Sequence, residues 1–360
     1  MKRLHTLLLV LGAAFLLYLL WKTGIGELCR QVGMLGWGLV PLILCEGVAE
    51  FIHVAGWRYC LSGPHRSLSL LQLFRIRLAG YAINYLTPTA AMGGEVTKAA
   101  LLASNKPGPE AVTGVLIGKV CFSLAHLLFV VCGSVITLWR IDLPRALWLG
   151  MSVSGALIAS GMGAFLLIQK YGKLGGLVRW LVSHNVGGPR MQQAAQGISA
   201  VDEALKAFYR QRPGDLLKAV GWHQVGYSVG ILQTWLFFHL LHQDVSWLIA
   251  AALWFLGMWF DLLTFAVPQN LGTLEGTRIV ALRAIGYSSL LGMTYGIALR
   301  LAQLFWSVLG LMLHALMLRQ AAHQPTAGRS NLPLSRERSR KTVKPARTEN
   351  PLSHKTAIRL

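Results

Sequence analysis

Long apolar runs separated by short polar, basic intervals set the pattern of this chain. Runs over about residues 6–21, 37–61, 111–139, 145–168, 219–241 and 287–318 read as membrane-spanning helices, since about 20 apolar residues cross the roughly 30 Å of hydrocarbon in a bilayer. A further apolar stretch, 247–267, stops at Pro268. Two polar turns break the pattern, "TPTAAMGGEVTK" at 87–98 and "VPQNLGTLEGTR" at 267–278. Lys2 and Arg3 precede the first run, and no small-x-small cleavage site follows it, so it reads as an uncleaved span.

The two turns share a spacing. Pro88, Glu95 and Lys98 recur as Pro268, Glu275 and Arg278, a P-x6-E-x2-[K/R] pattern displaced by 180 residues. At about the same displacement the run 37–61 falls on 219–241 and the run 111–139 on 287–318, with Lys119 one residue short of the register of Arg300. The expected fold is therefore an all-α polytopic membrane protein of about six full spans plus two re-entrant helical pairs. The pairs enter from opposite faces as an inverted-topology repeat, with halves over about 37–139 and 217–318. Non-helical backbone at membrane depth survives only where it is buried in protein or lines a wet cavity, so the two turns are expected to meet at a polar site.

Composition agrees: 54% of residues are hydrophobic, 13% are charged and the mean hydropathy is +0.50. The formal net charge of +20 points first toward nucleic acid, but topology accounts for it. Of the 34 Lys and Arg, 25 fall before the first span, in 62–110, in 169–218 and from 319 onward. Cytoplasmic loops carry such an excess. Both termini are thus expected in the cytoplasm, the protein in the cytoplasmic (inner) membrane, and no nucleic-acid partner. The transmembrane domain is expected over 1–318, with a cytoplasmic amphipathic segment at 170–215 and a disordered basic tail at 319–360 lying against anionic headgroups. Five cysteines without CxxC spacing indicate neither a disulfide framework nor a zinc site.

Within the turns, Pro88 and Pro268 stop the entering helices, and Gly93, Gly94, Gly272 and Gly276 let the chain reverse. Each restarting helix offers an N-terminus suited to a phosphate or carboxylate. Glu95 and Glu275 fall in those first turns, each with a base three residues on, Lys98 or Arg278, on the same face. Lys98, Lys119, Arg278 and Arg300 are the candidate headgroup-binding bases, with Asn270 beside them and Glu95 and Glu275 orienting them or exchanging protons. Glu46, Glu50 and His53 share one helical face and, with Asp261, form a candidate polar relay. Glu50-x-x-His53 also has the spacing of a di-metal ligand set, but no second Glu-x-x-His appears in the spans, so no metal and no cofactor are expected. No G-x-S-x-G, Walker A or G-x-G-x-x-G context is present.

The stretches "NYLTPTAAMGGEVTKAALL" and "VPQNLGTLEGTRIVAL" resemble the two signature turns of the lysylphosphatidylglycerol synthase transmembrane, or flippase-like, integral membrane family, over roughly residues 5–318. The resemblance implies a polytopic protein that moves polar-headed or isoprenoid-linked lipids between leaflets, or assists cell-envelope lipid or hopanoid metabolism. Carried over by position, the first turn maps to Pro88, Gly93, Gly94 and Glu95, and the second to Pro268, Leu271, Gly272, Glu275 and Gly276. Gln269-Asn270 stands where the family tends to have Gly-Gly. Larger members add a soluble aminoacyl-transferase domain, which is not expected here. The expected function is non-enzymatic translocation of an anionic or isoprenoid-linked lipid, with membrane lipids and lipid-synthesis enzymes as partners. Two alternatives stay open: an accessory subunit that transports nothing, and a metal-dependent membrane enzyme using Glu50 and His53.

Overall fold

The computed structural model describes residues 14–21, 24–86, 93–105, 110–171, 203–264 and 267–323. Among these there is no strand. The helices are α1 (Ile25–Leu35), α2 (Leu39–Cys60), α3 (Leu70–Leu86), α4 (Gly93–Asn105), α5 (Glu110–Arg140), α6 (Arg145–Tyr171), α7 (Pro213–Leu240), α8 (Trp247–Leu263), α9 (Thr273–Ala284) and α10 (Ser289–His323). Residues 14–21 and 203–211 are also helical. Local chemistry sets several starts: Pro213 sits in the first turn of α7, where its missing N–H costs nothing, and the Ser246 side chain accepts the Ile249 N–H to cap α8.

Among the described residues, four segments are long and apolar enough to cross a membrane: Ile25–Cys60, Glu110–Arg140, Arg145–Ala164 and Ser289–Gln320. The chain is thus an all-helical membrane protein, and large apolar side chains such as Trp37, Trp139 and Leu157 stand on its outside. α7 has the length of a span, but His223, Gln224, Gln233 and Thr234 make it more polar than those four. In contrast, α3, α4, α8 and α9 have 17, 13, 17 and 12 residues, fewer than the roughly 20 that a crossing needs. α3 packs on α4, and α8 on α9.

The order long, short, short, long occurs twice, as α2 to α5 and as α7 to α10. α9 starts at Thr273, 180 residues after α4 starts at Gly93. The packing repeats with the order. A Cβ at Gly80 of α3 would meet Lys98 Cγ of α4 at 2.6 Å, and one at Gly257 of α8 would meet Arg278 Cζ of α9 at 2.9 Å. Each half thus keeps a glycine where the basic side chain of its turn helix passes. The long helices exchange partners: Trp306 of α10 donates its indole N–H to the Ile43 carbonyl of α2, and the Tyr227 hydroxyl of α7 donates to the Phe122 carbonyl of α5.

α2 and α7, the matching first helices, run antiparallel. Gly38 meets Leu240 at one end, the Gln233 amide donates to the Leu42 carbonyl, Gly56 meets His223, and Arg212 donates to the Tyr59 and Leu61 carbonyls at the other end. Two apolar clusters flank this seam, one around Phe237, Phe238, Leu253 and Tyr295, the other around Val54, Trp57, Leu73 and Leu102.

Some expectations fall partly or wholly outside the description. In the amphipathic segment 170–171 and 203–215 are described, and in the latter stretch Leu205 and Phe208 are buried against the second cluster while Glu203, Ala207 and Arg210 are exposed. Of the first span only 14–21 is described; residues 172–202, the tail from 324 onward and Pro88 lie outside the described residues.

Candidate functional site

The second turn is a 3-10 turn, Pro268–Asn270, with Gln269 at φ 59°, Asn270 at φ 47° and Gly272 at φ 74°. Left-handed backbone suits glycine and is tolerated by asparagine, so the strain of this turn falls on Gln269. Arg300 of α10 holds the turn: it donates to the Gln269 carbonyl (3.3 Å), to the Asn270 carbonyl (2.9 Å) and to the Tyr85 hydroxyl at the end of α3 (3.2 Å). It also binds both oxygens of Glu275, which is fully buried.

This corrects one expected pairing. Glu275 is not joined to Arg278 three residues on but to Arg300, whereas Arg278 makes a bidentate pair with Asp261 of α8 at 2.7 and 3.0 Å. The arrangement is set between helices: Asp261 presents both oxygens to the guanidinium of Arg278 across the α8–α9 contact, while Arg300 of α10 reaches Glu275 with two of its nitrogens. Asp261 is thereby committed as a partner of Arg278, although it also lines a small cavity.

The first half keeps the local pairing. Lys98 Nζ lies 2.5 Å from Glu95, and Lys119 of α5 approaches the same carboxylate at 3.5 Å. Lys119 and Arg300 thus hold matching places, each reaching the Glu of its own turn. A cavity of about 440 Å³ opens beside Glu95, lined also by Glu50, Arg77, Tyr81, Asn84, Lys98, Lys119, Phe122, His223 and Asn270. Asn270 comes from the second turn, so both turns contribute to one site. Glu275, Arg278 and Arg300 are not among its lining residues, and neither are the turn glycines. Gly94 instead allows close approach: a Cβ there would collide with the Gly80 carbonyl, and its N–H donates to Asn84 at 2.7 Å. Gly276 faces Phe15.

A second cavity, of about 180 Å³, is lined by Glu46, Glu50, His53, His126, Tyr227 and Asp261 among others, and Glu50 and Phe122 belong to both cavities. Glu50 and His53 are not paired with each other. Glu50 accepts Arg77 Nε at 2.6 Å, and His53 Nδ1 lies 3.1 Å from His223 Nδ1. Among the described residues no group of three or more His, Cys, Asp or Glu is placed to hold a metal.

Arg77 and His223 were missed by the sequence reasoning. Arg77 enters there only through the count of bases in 62–110, and His223 not at all. Their one visible signal is an ionisable group inside an apolar helix.

Below Lys119 the surroundings change. A crevice of about 600 Å³ between α5, α6 and the end of α8 is lined by Lys119, Val120, Ser123, Leu124, Leu127, Ile158, Gly161, Met162 and Leu262. Lys119 is thus common to a polar cavity and an apolar crevice.

The family profile described as Lysylphosphatidylglycerol synthase TM region matches residues 6–310. The chain belongs to this family. It is also 23% identical over 287 residues to a UPF0104 membrane protein of Methanocaldococcus jannaschii, covering 78% of this chain and 84% of that protein. No solved structure matches. Membership places the chain among lipid-related membrane proteins.

Proposed function

We propose that this protein moves a lipid with an anionic headgroup between leaflets, leaving the lipid chemically unchanged. The observation that carries the reading is Lys119, shared by a charged cavity and an apolar crevice, as an amphipathic ligand requires. In the cavity, Arg77, Lys98 and Lys119 face Glu50 and Glu95, three positive charges against two negative. Arg77 is spent on Glu50 and Lys98 on Glu95, while Lys119 stays 3.5 Å from its acid with a side chain 39% exposed. A phosphate placed against Lys119 completes the charge balance at a depth where an unpaired ion is costly. Its tails remain in the crevice, and the headgroup alone crosses the protein.

In this reading α3/α4 and α8/α9 are re-entrant pairs of an inverted repeat, and the first run, α2, α5, α6, α7 and α10 are the six full spans. Support comes from the short helices, the repeated packing and the antiparallel α2 and α7. The distribution of bases favours cytoplasmic termini in an inner membrane.

The test is leaflet exchange of labelled phosphatidylglycerol and polyprenyl phosphate in proteoliposomes. A charge-assisted contact contributes about 1.5–3 kcal/mol, so Lys119→Gln is expected to slow exchange about 10- to 100-fold while the protein stays folded. Absence of exchange for every lipid by folded native protein overturns the proposal and favours the accessory-subunit alternative.

A further inference from the structure

We propose that His53 and His223 form a proton relay between the two cavities, so that passage of the anionic headgroup is coupled to movement of a proton. The inference rests on the lipid-moving reading above and supplies its energy source. His53, on α2, lines the smaller cavity, and His223, on α7, lines the larger. Their Nδ1 atoms lie 3.1 Å apart, and the rings are only 4% and 0% exposed. The two rings are seated reciprocally: a Cβ at Gly226 of α7 would come within 2.6 Å of His53, and one at Gly56 of α2 within 2.9 Å of His223. Phe122 packs edge-on against both, with ring centroids at 5.1 and 5.3 Å, so neither ring is free to swing away.

A hydrogen bond between two Nδ1 atoms needs one donor and one acceptor. With His53 as donor, its Nε2 is a bare acceptor toward the smaller cavity, and His223 carries its proton on Nε2, a buried atom that has no partner among the described residues. A proton taken up at His53 Nε2 is balanced by transfer of the Nδ1 proton to His223 Nδ1 and release of the His223 Nε2 proton into the larger cavity. One proton enters, one leaves, and both rings end in the other tautomer; each ring is reset by a flip in place about its Cβ–Cγ bond with proton exchange toward its own cavity, since reverse transfer would return the proton.

The charged and titratable groups around the pair define its direction of use. On the small-cavity side stand Glu46 and Glu50 of α2, His126 of α5, Tyr227 of α7 and Asp261 of α8. On the large-cavity side stand Glu50, which lines both cavities, Arg77 and Tyr81 of α3, Glu95 and Lys98 of α4, and Lys119 of α5. A proton released beside Arg77, Lys98 and Lys119 is repelled by those bases unless an anion is bound among them. Headgroup and proton therefore favour each other's presence, and the pair moves together as a nearly neutral unit.

The experiment uses full-length protein in vesicles with labelled phosphatidylglycerol, a gradient of one pH unit and an entrapped pH dye. One proton per lipid supports at most about a tenfold leaflet asymmetry per pH unit, with lipid gathering on the alkaline side and the dye reporting proton arrival. His53→Gln and His223→Gln keep a donor and an acceptor but cannot pass a proton through; each, checked for folding by thermal unfolding, is expected to bring the asymmetry to about one and silence the dye. Native exchange that ignores the gradient, or folded His variants that still respond to it, overturns the relay alone. Absence of exchange by the native protein overturns the lipid-moving reading and the relay with it.

Discussion

Glu95 and Glu275 hold the same place in their halves, yet their surroundings give them different loads. Glu275 is fully buried and holds Arg300 with both oxygens, and Arg300 in turn gathers the carbonyls of the second turn. Removing one partner of such a pair leaves an uncompensated buried charge, at a cost of about 3–5 kcal/mol. Glu275→Gln is therefore expected to lower stability by that amount in detergent unfolding, with a clearly smaller loss for Glu95→Gln, whose lysines reach the cavity. Gln269, at φ 59°, makes the opposite forecast. A non-glycine residue pays about 1–2 kcal/mol for left-handed backbone, partly offset by the greater unfolded entropy of glycine. Gln269→Gly should raise the unfolding free energy by up to about 1 kcal/mol, and an unchanged or lower unfolding midpoint would contradict the strain.

Between α3 and α4, helix packing depends on glycines more than on apolar bulk. Lipid tails are as apolar as leucine, so helices associate in a membrane through close contact and small residues. Gly94 touches the Gly80 carbonyl so closely that any side chain must separate the two helices. Gly94→Ala is expected to destabilise by about 3 kcal/mol, the upper end of the usual cost of overpacking, and to disturb the cavity that α3 and α4 share. Gly155 in α6 has nothing within 4 Å of a built Cβ. Gly155→Ala should be neutral or stabilising by about 0.5–1 kcal/mol, as alanine is in a helix. Equal losses from the two variants, measured by thermal unfolding, would contradict this account of the packing.

Across the whole molecule, the two halves are clamped at the end where the basic loops lie. Asp215 at the start of α7 accepts Arg66 from the turn after α2 and Arg212 from its own turn. Burial alone would raise the Asp215 carboxyl, but the hydrogen bonds from Arg66 and Arg212 outweigh it and hold it below its ordinary value. A depressed folded-state value means the clamp is fully present above the unfolded carboxyl's titration, near pH 4, and is lost as pH falls through the lower folded value. Native protein should lose stability more steeply than Asp215→Asn on acidification below about pH 4, as read by unfolding midpoints across pH. Because α2 and α7 are antiparallel, single cysteines at Ser67 and Gly214 should label from one face of the membrane, and at Trp37 and Gln243 from the other; labelling of all four from one face would contradict the topology.

The sequence by itself determined the class of the protein and the spacing that its two polar turns share. Apolar runs of spanning length, bases gathered in particular loops, and a Pro-Glu-base spacing used twice are one-dimensional signals, because helices satisfy their own backbone and each leaves its pattern in contiguous residues. Only the tertiary structure decided who pairs with whom. Glu275 chooses Arg300 over Arg278, Arg278 chooses Asp261, Glu50 chooses Arg77, and His53 meets His223. Those partners stand 25, 17, 27 and 170 residues apart in the chain. Such choices follow from which helix faces the other across a glycine-sized gap and from how many donors a fork-shaped guanidinium can satisfy at once. Spacing along a single helix contains neither quantity. The same holds for the joining of a charged cavity to an apolar crevice at Lys119, where side chains from α5, α6 and α8 meet only after the bundle has closed.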